Sequence, residues 1–234
     1  IFNRGSATVH RCLIDTNRAG VGGLGDGLGN GGSGGGLYND GTMWLMQTTL
    51  TANLAGGGLG DDGGNGGNGG GVYNRVNIQI LNCTITNNQA GSGLGLGKGG
   101  SGGGIYQEEG TADMSISNTI VAGNQIGSVS GSTQAGTGPD VRKEAGALTR
   151  TGVNFIGNNA GATAEFPSPA IAGQPNSNGD LVGTAAAPRN RPTCGFQPGQ
   201  PISGAVIYGS RGGLGVTICG YGTTPINVPP GTDS

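Results

Sequence analysis

Apolar and polar residues alternate in four short segments of the chain, at residues 6–10, 42–46, 77–81 and 113–117. Each segment has two apolar positions that flank a mostly polar one. The first apolar position holds Ala7, Met43, Ile78 and Met114 in turn, and the second holds Val9, Leu45, Ile80 and Ile116. A period of two is typical of a β-strand with one face turned inward. The pattern therefore predicts four equivalent strands, one in each copy of a repeat.

A second short strand follows each of these segments. Its inward position holds Ile14, Leu50, Ile85 and Val121, and three residues later comes an asparagine, Asn17, Asn53, Asn88 and Asn124. Asparagine amides that stack at equivalent positions bond to one another and to the turn backbone. We expect an asparagine ladder at this turn.

A recurring phrase marks where each repeat begins. Three glycines precede Leu37-Tyr38-Asn39, Val72-Tyr73-Asn74 and Ile105-Tyr106-Gln107, and the chain opens on Ile1-Phe2-Asn3. The phrases begin at residues 1, 37, 72 and 105, so the repeats are 36, 35 and 33 residues long. A fixed period of this size indicates a solenoid. We predict an all-β protein, a short right-handed parallel β-helix of about five coils.

Glycine-rich excursions separate the strand units at residues 20–36, 56–71 and 91–104. They have similar lengths and the same ending. Glycine strings can form extended segments of the polyproline II type that pack side by side, because no Cβ keeps their backbones apart. We interpret the excursions as an ordered flank that stacks from coil to coil; the alternative is a set of solvated loops.

The repeats resemble the glycine-rich β-helix repeats of bacterial surface proteins, the polymorphic outer-membrane proteins and related adhesins. The matching residues run from Gly104-Ile105-Tyr106 to Asn118-Thr119-Ile120-Val121-Ala122-Gly123-Asn124, and recur in part at residues 152–157 and 179–185. The resemblance covers about residues 1–187. It implies a β-helix at the bacterial surface or secreted from the cell, and it implies no particular activity.

The chain changes character after the repeats. Residues 1–187 form the predicted β-helix, whereas residues 188–234 are richer in proline and contain two alternating segments, Ile202–Tyr208 and Val216–Cys219. We expect this region to be a cap or an extended arm. The chain begins with Ile1 and carries no signal peptide, which suggests a processed or truncated product.

Composition excludes several kinds of partner. Of 234 residues, 56 are glycine and only 11 are Lys or Arg, and the net charge is −2. So few basic residues argue against nucleic acid and against an anionic membrane surface. No apolar run is long enough to span a membrane.

Little catalytic or metal-binding chemistry is visible, and we predict no enzyme and no cofactor. The outward positions Thr8, Trp44, Gln79 and Ser115 include no recurring pair of acids, and His10 is the only histidine. Asp61 and Asp62 follow the start of a calcium-binding nonapeptide pattern, but its next apolar residue is replaced by Gly64, so they are weak calcium candidates.

The four cysteines fall into two pairs. Cys12 and Cys83 share one inward column two coils apart, a separation of about 10 Å that is too long for a disulfide. We expect both to be buried free thiols. Cys194 and Cys219 lie in the C-terminal region, where we predict a disulfide bond.

The function that these features favour is structural. We expect an extracellular subunit that polymerises head to tail, with an apolar assembly rim on its first coil formed by Ile1, Ala7, Val9 and Ile14. The C-terminal arm of a neighbour, or its last coil near residues 153–156, would cover this rim. One alternative is a monomeric adhesin or passenger fragment that binds cell-surface carbohydrate. Others are a polysaccharide-acting β-helix enzyme, and ice or surface binding through the threonines near residues 48–51 and 84–86.

Overall fold

The computed structural model describes residues 1–24, 27, 29–60, 63–108, 110, 113–130 and 134–189, and the backbone of residues 205–208 and 217–220. The chain divides into two units, residues 1–192 and 193–234. Within the described part there are strands and no helix, so the protein is all-β as predicted.

Three parallel sheets form the first unit. Sheet 1 contains β1 (Phe2–Asn3), β4 (Leu37–Asn39), β7 (Val72–Asn74), β11 (Ile105–Gln107) and β15 (Val141–Lys143). Sheet 2 contains β2 (Ser6–His10), β5 (Thr42–Met46), β8 (Asn77–Leu81), β12 (Asp113–Ser117) and β16 (Ala147–Thr151). Sheet 3 contains β3 (Leu13–Asp15), β6 (Thr49–Thr51), β9 (Thr84–Thr86), β13 (Ile120–Ala122), β17 (Phe155–Ile156) and β18 (Leu181–Val182).

Each passage of the chain visits the three sheets in order, and equivalent residues pair directly. Val9 pairs with Leu45, Leu45 with Ile80, and Ile80 with Ile116. The four predicted strands at residues 6–10, 42–46, 77–81 and 113–117 are confirmed to the residue. The result is a β-solenoid of about four turns, rather than five. After β17 the chain re-enters sheet 3 at β18 without another strand in sheet 1.

The core is the column of inward apolar side chains between the sheets. Met43, Leu45, Leu50, Ile78 and Ile85 are completely or almost completely buried, as the alternation predicted. Near the last coil the core is filled by Val182 of β18 and by two side chains from outside the repeat pattern, Ala162 and Phe166.

Two corners of every coil need a left-handed backbone. One corner holds Arg11, Gln47, Asn82 and Asn118, with φ of 54°, 50°, 53° and 47°, followed by Gly152 at 64°. The other holds Thr16, Ala52 and Asn87, with φ of 56°, 53° and 55°, followed by Gly123 at 70°. Asn and Gly suit this conformation, whereas Thr and Ala are strained in it.

The glycine-rich excursions are ordered and bonded to one another. An outgoing and a returning segment from each coil lie side by side, and their backbone bonds form one unbroken zigzag. From the second member onward, the N–H of each glycine donates to the carbonyl of the glycine before it in this series, at 2.8 to 3.1 Å: Gly20, Gly32, Gly56, Gly67, Gly91, Gly100, Gly127 and Gly136. The last two belong to a fourth excursion, near residues 127–138, which the sequence analysis missed. We call these stacked excursions the glycine flank.

Glycine is required in the flank because the segments approach too closely for a side chain. A Cβ on Gly66 would overlap the carbonyl oxygen of Gly91, and one on Gly67 would overlap that of Gly32. The flank also contains a short parallel pair, β10 (Gly93–Leu94) and β14 (Val129–Ser130). The interpretation as a stacked flank is therefore confirmed over the described residues.

The second unit contains an antiparallel pair of strands, β19 (Ala205–Tyr208) and β20 (Thr217–Gly220). The two predicted segments, Ile202–Tyr208 and Val216–Cys219, overlap these strands closely.

Candidate functional site

Two columns of polar side chains run through the solenoid beside the core. In the first, each side-chain amide donates to the Oδ1 of the next residue, from Asn17 to Asn53 to Asn88 to Asn124, at 2.8 to 3.0 Å. The same Oδ1 atoms also accept a backbone N–H from the preceding asparagine. The predicted asparagine ladder is thus present, and it is buried from Asn53 onward. A shorter ladder joins Asn3, Asn39 and Asn74 in sheet 1.

Two buried aspartates lie near the last coil, and one of them, Asp140, ends the first column. Asn124 donates to Asp140 at 2.8 Å, and Asn154 donates to Asp180 at 3.0 Å. Burial raises the pKa of Asp140 to about 6, against the hydrogen bonds from Asn124 and Asn158. Burial also raises the pKa of Asp180, which accepts a hydrogen bond from Arg150 at 3.3 Å. The first ladder is therefore closed by Asp140, a group that can only accept once it is ionised.

The first coil presents an apolar end. β1, β2 and β3 are the outermost strands of their sheets, so each has an edge that no other described strand pairs with. Ile1, Phe2 and Leu13 are 56%, 59% and 63% exposed. Leu37, which takes the place of Ile1 in the second coil, is completely buried. We call Ile1, Phe2, Cys12 and Leu13 the open end.

The open end differs from the assembly rim that the sequence predicted. Ile1 is exposed and Ala7 is half-buried, but Val9 and Ile14 are only 9% and 7% exposed. They are covered because they point into the core, where Leu45 and Leu50 of the second coil pack beneath them. The exposed apolar surface comes instead from Phe2 and Leu13, whose side chains the alternation did not single out.

Cys12 and Cys83 are both free, as predicted, but only Cys83 is buried. Burial raises the pKa of Cys83 to about 11, and its thiol donates to the carbonyl of Leu45. Cys12 occupies the same column but is exposed, so the prediction that it is buried was wrong. The reason is its place on the first coil, which has a neighbouring coil on one side only.

A column of aromatic rings leads to the open end. Phe2, Tyr38, Tyr73 and Tyr106 follow one another with ring centroids 5.2, 4.8 and 5.2 Å apart. Charged side chains alternate in sign beside them, as Arg4, Asp40, Arg75 and Glu108. The pKa of Tyr73 is raised by burial and by its hydrogen bond to Glu108. The phenol of Tyr73 is therefore a fixed donor, and Phe2 is the outermost ring of a rigid stack.

The opposite end of the solenoid is covered in part, although β16 is the outermost strand of sheet 2 and pairs, among the described strands, with β12 alone. Phe166 is completely buried, and Ala162 beside it is nearly so. β17 is paired with β18 on its outer edge, and the N–H of Lys143 in β15 donates to the carbonyl of Gly161. Residues 153–156 of the last coil are the second segment predicted to cover a neighbour's rim. That edge is already occupied within the chain.

The returning segments of the glycine flank carry a second regular surface. Two columns of polar residues, spaced three apart along each segment, lie on its outer side: Asn30, Asn65, Lys98 and Gln134, and Ser33, Asn68, Ser101 and Thr137. Polyproline II segments have three residues per turn, so positions three apart share a face. We call these eight residues the polar face.

Two predicted sites fall outside the described side chains. Asp61 and Asp62 lie outside the described residues, as does Cys194, and β20 is described only in its backbone at Cys219. Elsewhere in the described chain, no three His, Cys, Asp or Glu side chains converge as metal ligands would. The same part of the chain has no helix of the length and apolarity needed to cross a membrane.

Comparison of the chain with models of known protein families, with curated proteins and with solved structures finds no match.

Proposed function

We propose that this protein is an extracellular structural subunit that self-associates through the open end of its solenoid. The observation that carries the proposal is the contrast between the two ends. Within the described residues, one end exposes three unpaired strand edges and the side chains of Ile1, Phe2 and Leu13, whereas Phe166 covers the core at the other end and β18 covers the edge of β17. Unpaired edges beside exposed apolar groups favour the addition of another strand.

A segment of a second copy suits this end. The second unit contains the β19–β20 hairpin, and a two-stranded hairpin is marginally stable in water by itself. Placed on the open end of a neighbour, such a segment would pair with a free edge and cover Leu13. Because donor and acceptor are different parts of the chain, each copy can do both, and the assembly grows as a filament.

The resemblance to bacterial surface repeats supports the extracellular setting, and the regular ladders suit a rigid building block. The alternative function, a monomeric adhesin, differs from the self-associating subunit in the state of the open end. A monomeric adhesin would keep the open end uncovered in solution or cover it with other residues of its own chain.

The test is the state of association of the purified full chain. We expect elongated assemblies in electron micrographs and a particle mass that rises with protein concentration. Deletion of residues 200–234 should abolish assembly while leaving the melting of the solenoid unchanged. A full chain that remains monomeric at high concentration would reject self-association, and a truncated chain that still forms filaments would reject the C-terminal segment as the link.

A further inference from the structure

The polar face of the glycine flank is built from side chains that are held by the neighbouring coil. Asn65 Oδ1 accepts the N–H of Lys98 at 2.7 Å, and Asn68 Oδ1 accepts the N–H of Ser101 at 2.8 Å. Asn30 Oδ1 accepts the N–H of Asn65 in the same way, at 2.9 Å. These bonds fix the rotamers of three asparagines in one orientation.

The same bonds leave the other half of each amide available. The Nδ2 groups of Asn30, Asn65 and Asn68 have no hydrogen-bond partner within the described part of the chain, and Asn30 and Asn65 are exposed. With Oδ1 bound to the backbone, each Nδ2 is a donor that is oriented in advance. The cost of ordering these side chains is therefore met in the folded protein, which favours binding.

The donors are arranged in two dimensions. Successive coils repeat at about 4.8 Å, the spacing of hydrogen-bonded strands. Along one segment, three residues of polyproline II rise by about 9 Å, the separation expected between Asn65 and Asn68. A ligand that spans several of these donors must itself be extended and carry acceptors at regular intervals.

The chemistry of the polar face limits the class of ligand that it can bind. Lys98 is the one charged side chain among its eight residues, so the face offers little attraction to a polyanion. It has none of the aromatic residues, methionine or arginine that are enriched at the centres of protein interfaces. Amides and hydroxyls match the hydroxyl groups of sugars. We propose that the polar face binds an extended neutral polysaccharide. This inference is independent of self-association through the open end.

The test separates donation by Nδ2 from the structural role of Oδ1. In the double variant N65D/N68D each carboxylate keeps an oxygen for the backbone N–H of the next coil but loses the outward donor. The matched control is N77D/Q79E, which makes the same changes of charge on exposed residues of β8 in sheet 2. Binding of the full chain to insoluble cellulose, chitin, xylan and starch is measured by depletion from solution.

We expect the wild type to bind at least one of these polysaccharides, and N65D/N68D to bind it at least tenfold more weakly with an unchanged melting temperature. The control should bind like the wild type. Failure of the wild type to bind any of the four would overturn the proposal, as would equal binding by the two double variants. A change in particle mass for N65D/N68D without added polysaccharide would instead assign the face to contact between copies.

Discussion

Asn124 donates its side-chain amide to Asp140, and this hydrogen bond ends a column of asparagines that crosses the solenoid. Asp140 occupies the position before Val141, where earlier coils have Gly36, Gly71 and Gly104 before their sheet 1 strands. Its Oδ2 accepts the N–H of Asn158, so one carboxylate joins the ladder to the segment that closes the last coil.

This relationship makes stability depend on pH. Because the pKa of Asp140 is about 6 in the folded protein and lower when the chain is unfolded, the folded state binds the proton more tightly. The contribution of Asp140 to stability is therefore fully present below its unfolded pKa and is lost as pH rises to about 6, a change of about 3 kcal/mol. Urea unfolding of the wild type and Asp140→Asn from pH 4 to 7 measures this. The variant should lose that part of the slope; identical slopes would contradict the assignment.

The close packing of the glycine flank predicts different effects of an alanine at two glycines of the same excursion. Gly66→Ala should lower the free energy of unfolding by about 2–3 kcal/mol, because its Cβ would overlap the carbonyl oxygen of Gly91. Gly57 lies in the same excursion with only ordinary contact space around its Cβ position. Gly57→Ala should therefore change stability by less than about 1 kcal/mol. Equal effects in urea titrations would mean that the flank is not close-packed.

The left-handed corners offer a stabilising substitution. Ala52 has a φ of 53°, whereas Gly123 occupies the equivalent position of another coil. Ala52→Gly removes the steric strain and should raise the free energy of unfolding by about 0.5–1 kcal/mol, after the entropy cost of glycine. Ala55→Gly, at a buried position nearby without positive φ, should be destabilising by about 1 kcal/mol. Thermal denaturation should show a melting temperature above that of the wild type for Ala52→Gly and below it for Ala55→Gly.

The two free thiols should differ in reactivity. Cys12 is exposed and should react with a thiol reagent in the native protein within minutes. Cys83 is buried and its pKa is raised to about 11, so little thiolate forms at pH 8 and its labelling should require unfolding. Peptide mass mapping of the labelled, non-reduced protein also tests the predicted Cys194–Cys219 bond. A Cys12–Cys83 disulfide would contradict the register of the coils.

The role of the open end in self-association can be tested by introducing one charged side chain there. Leu13→Lys places an ammonium on the exposed edge strand β3 and should weaken self-association at least tenfold, because lysine blunts strand edges. Leu96 is also an exposed leucine, on the glycine flank, and Leu96→Lys is the matched control. Sedimentation at several concentrations should show a change for the first variant alone. An equal effect of both would indicate general loss of solubility.

The strands and ladders could be predicted from the sequence because they depend on identity between repeats. Val9, Leu45 and Ile80 occupy equal positions, and equal positions in a solenoid stack. The left-handed corners were harder to predict from the sequence, because Thr16 and Ala52 do not favour the backbone conformation that they adopt. Only Asn87 and Gly123 in that column indicate a left-handed turn.

The ends could not be predicted by the same reasoning. On the first coil, which has a neighbour on one side only, the columns predict the burial of Val9 and Ile14 but not the exposure of Cys12. Phe166 closes the last coil from a segment that matches no repeat, and nothing in the periodicity marks it. The fourth excursion was missed because glycine is needed only where two neighbours approach, at positions such as Gly127 and Gly136.

The hydrogen bonds between successive coils also determine how the solenoid could gain or lose a coil. Asn53 bonds to Asn88, and Gly67 to Gly56, through partners that recur in the next repeat. A tandem duplication of residues 72–104 would insert a coil whose ladder and flank groups find the same partners above and below. Whole repeats are thus interchangeable modules, and duplication of one repeat in the gene would lengthen the solenoid by one coil.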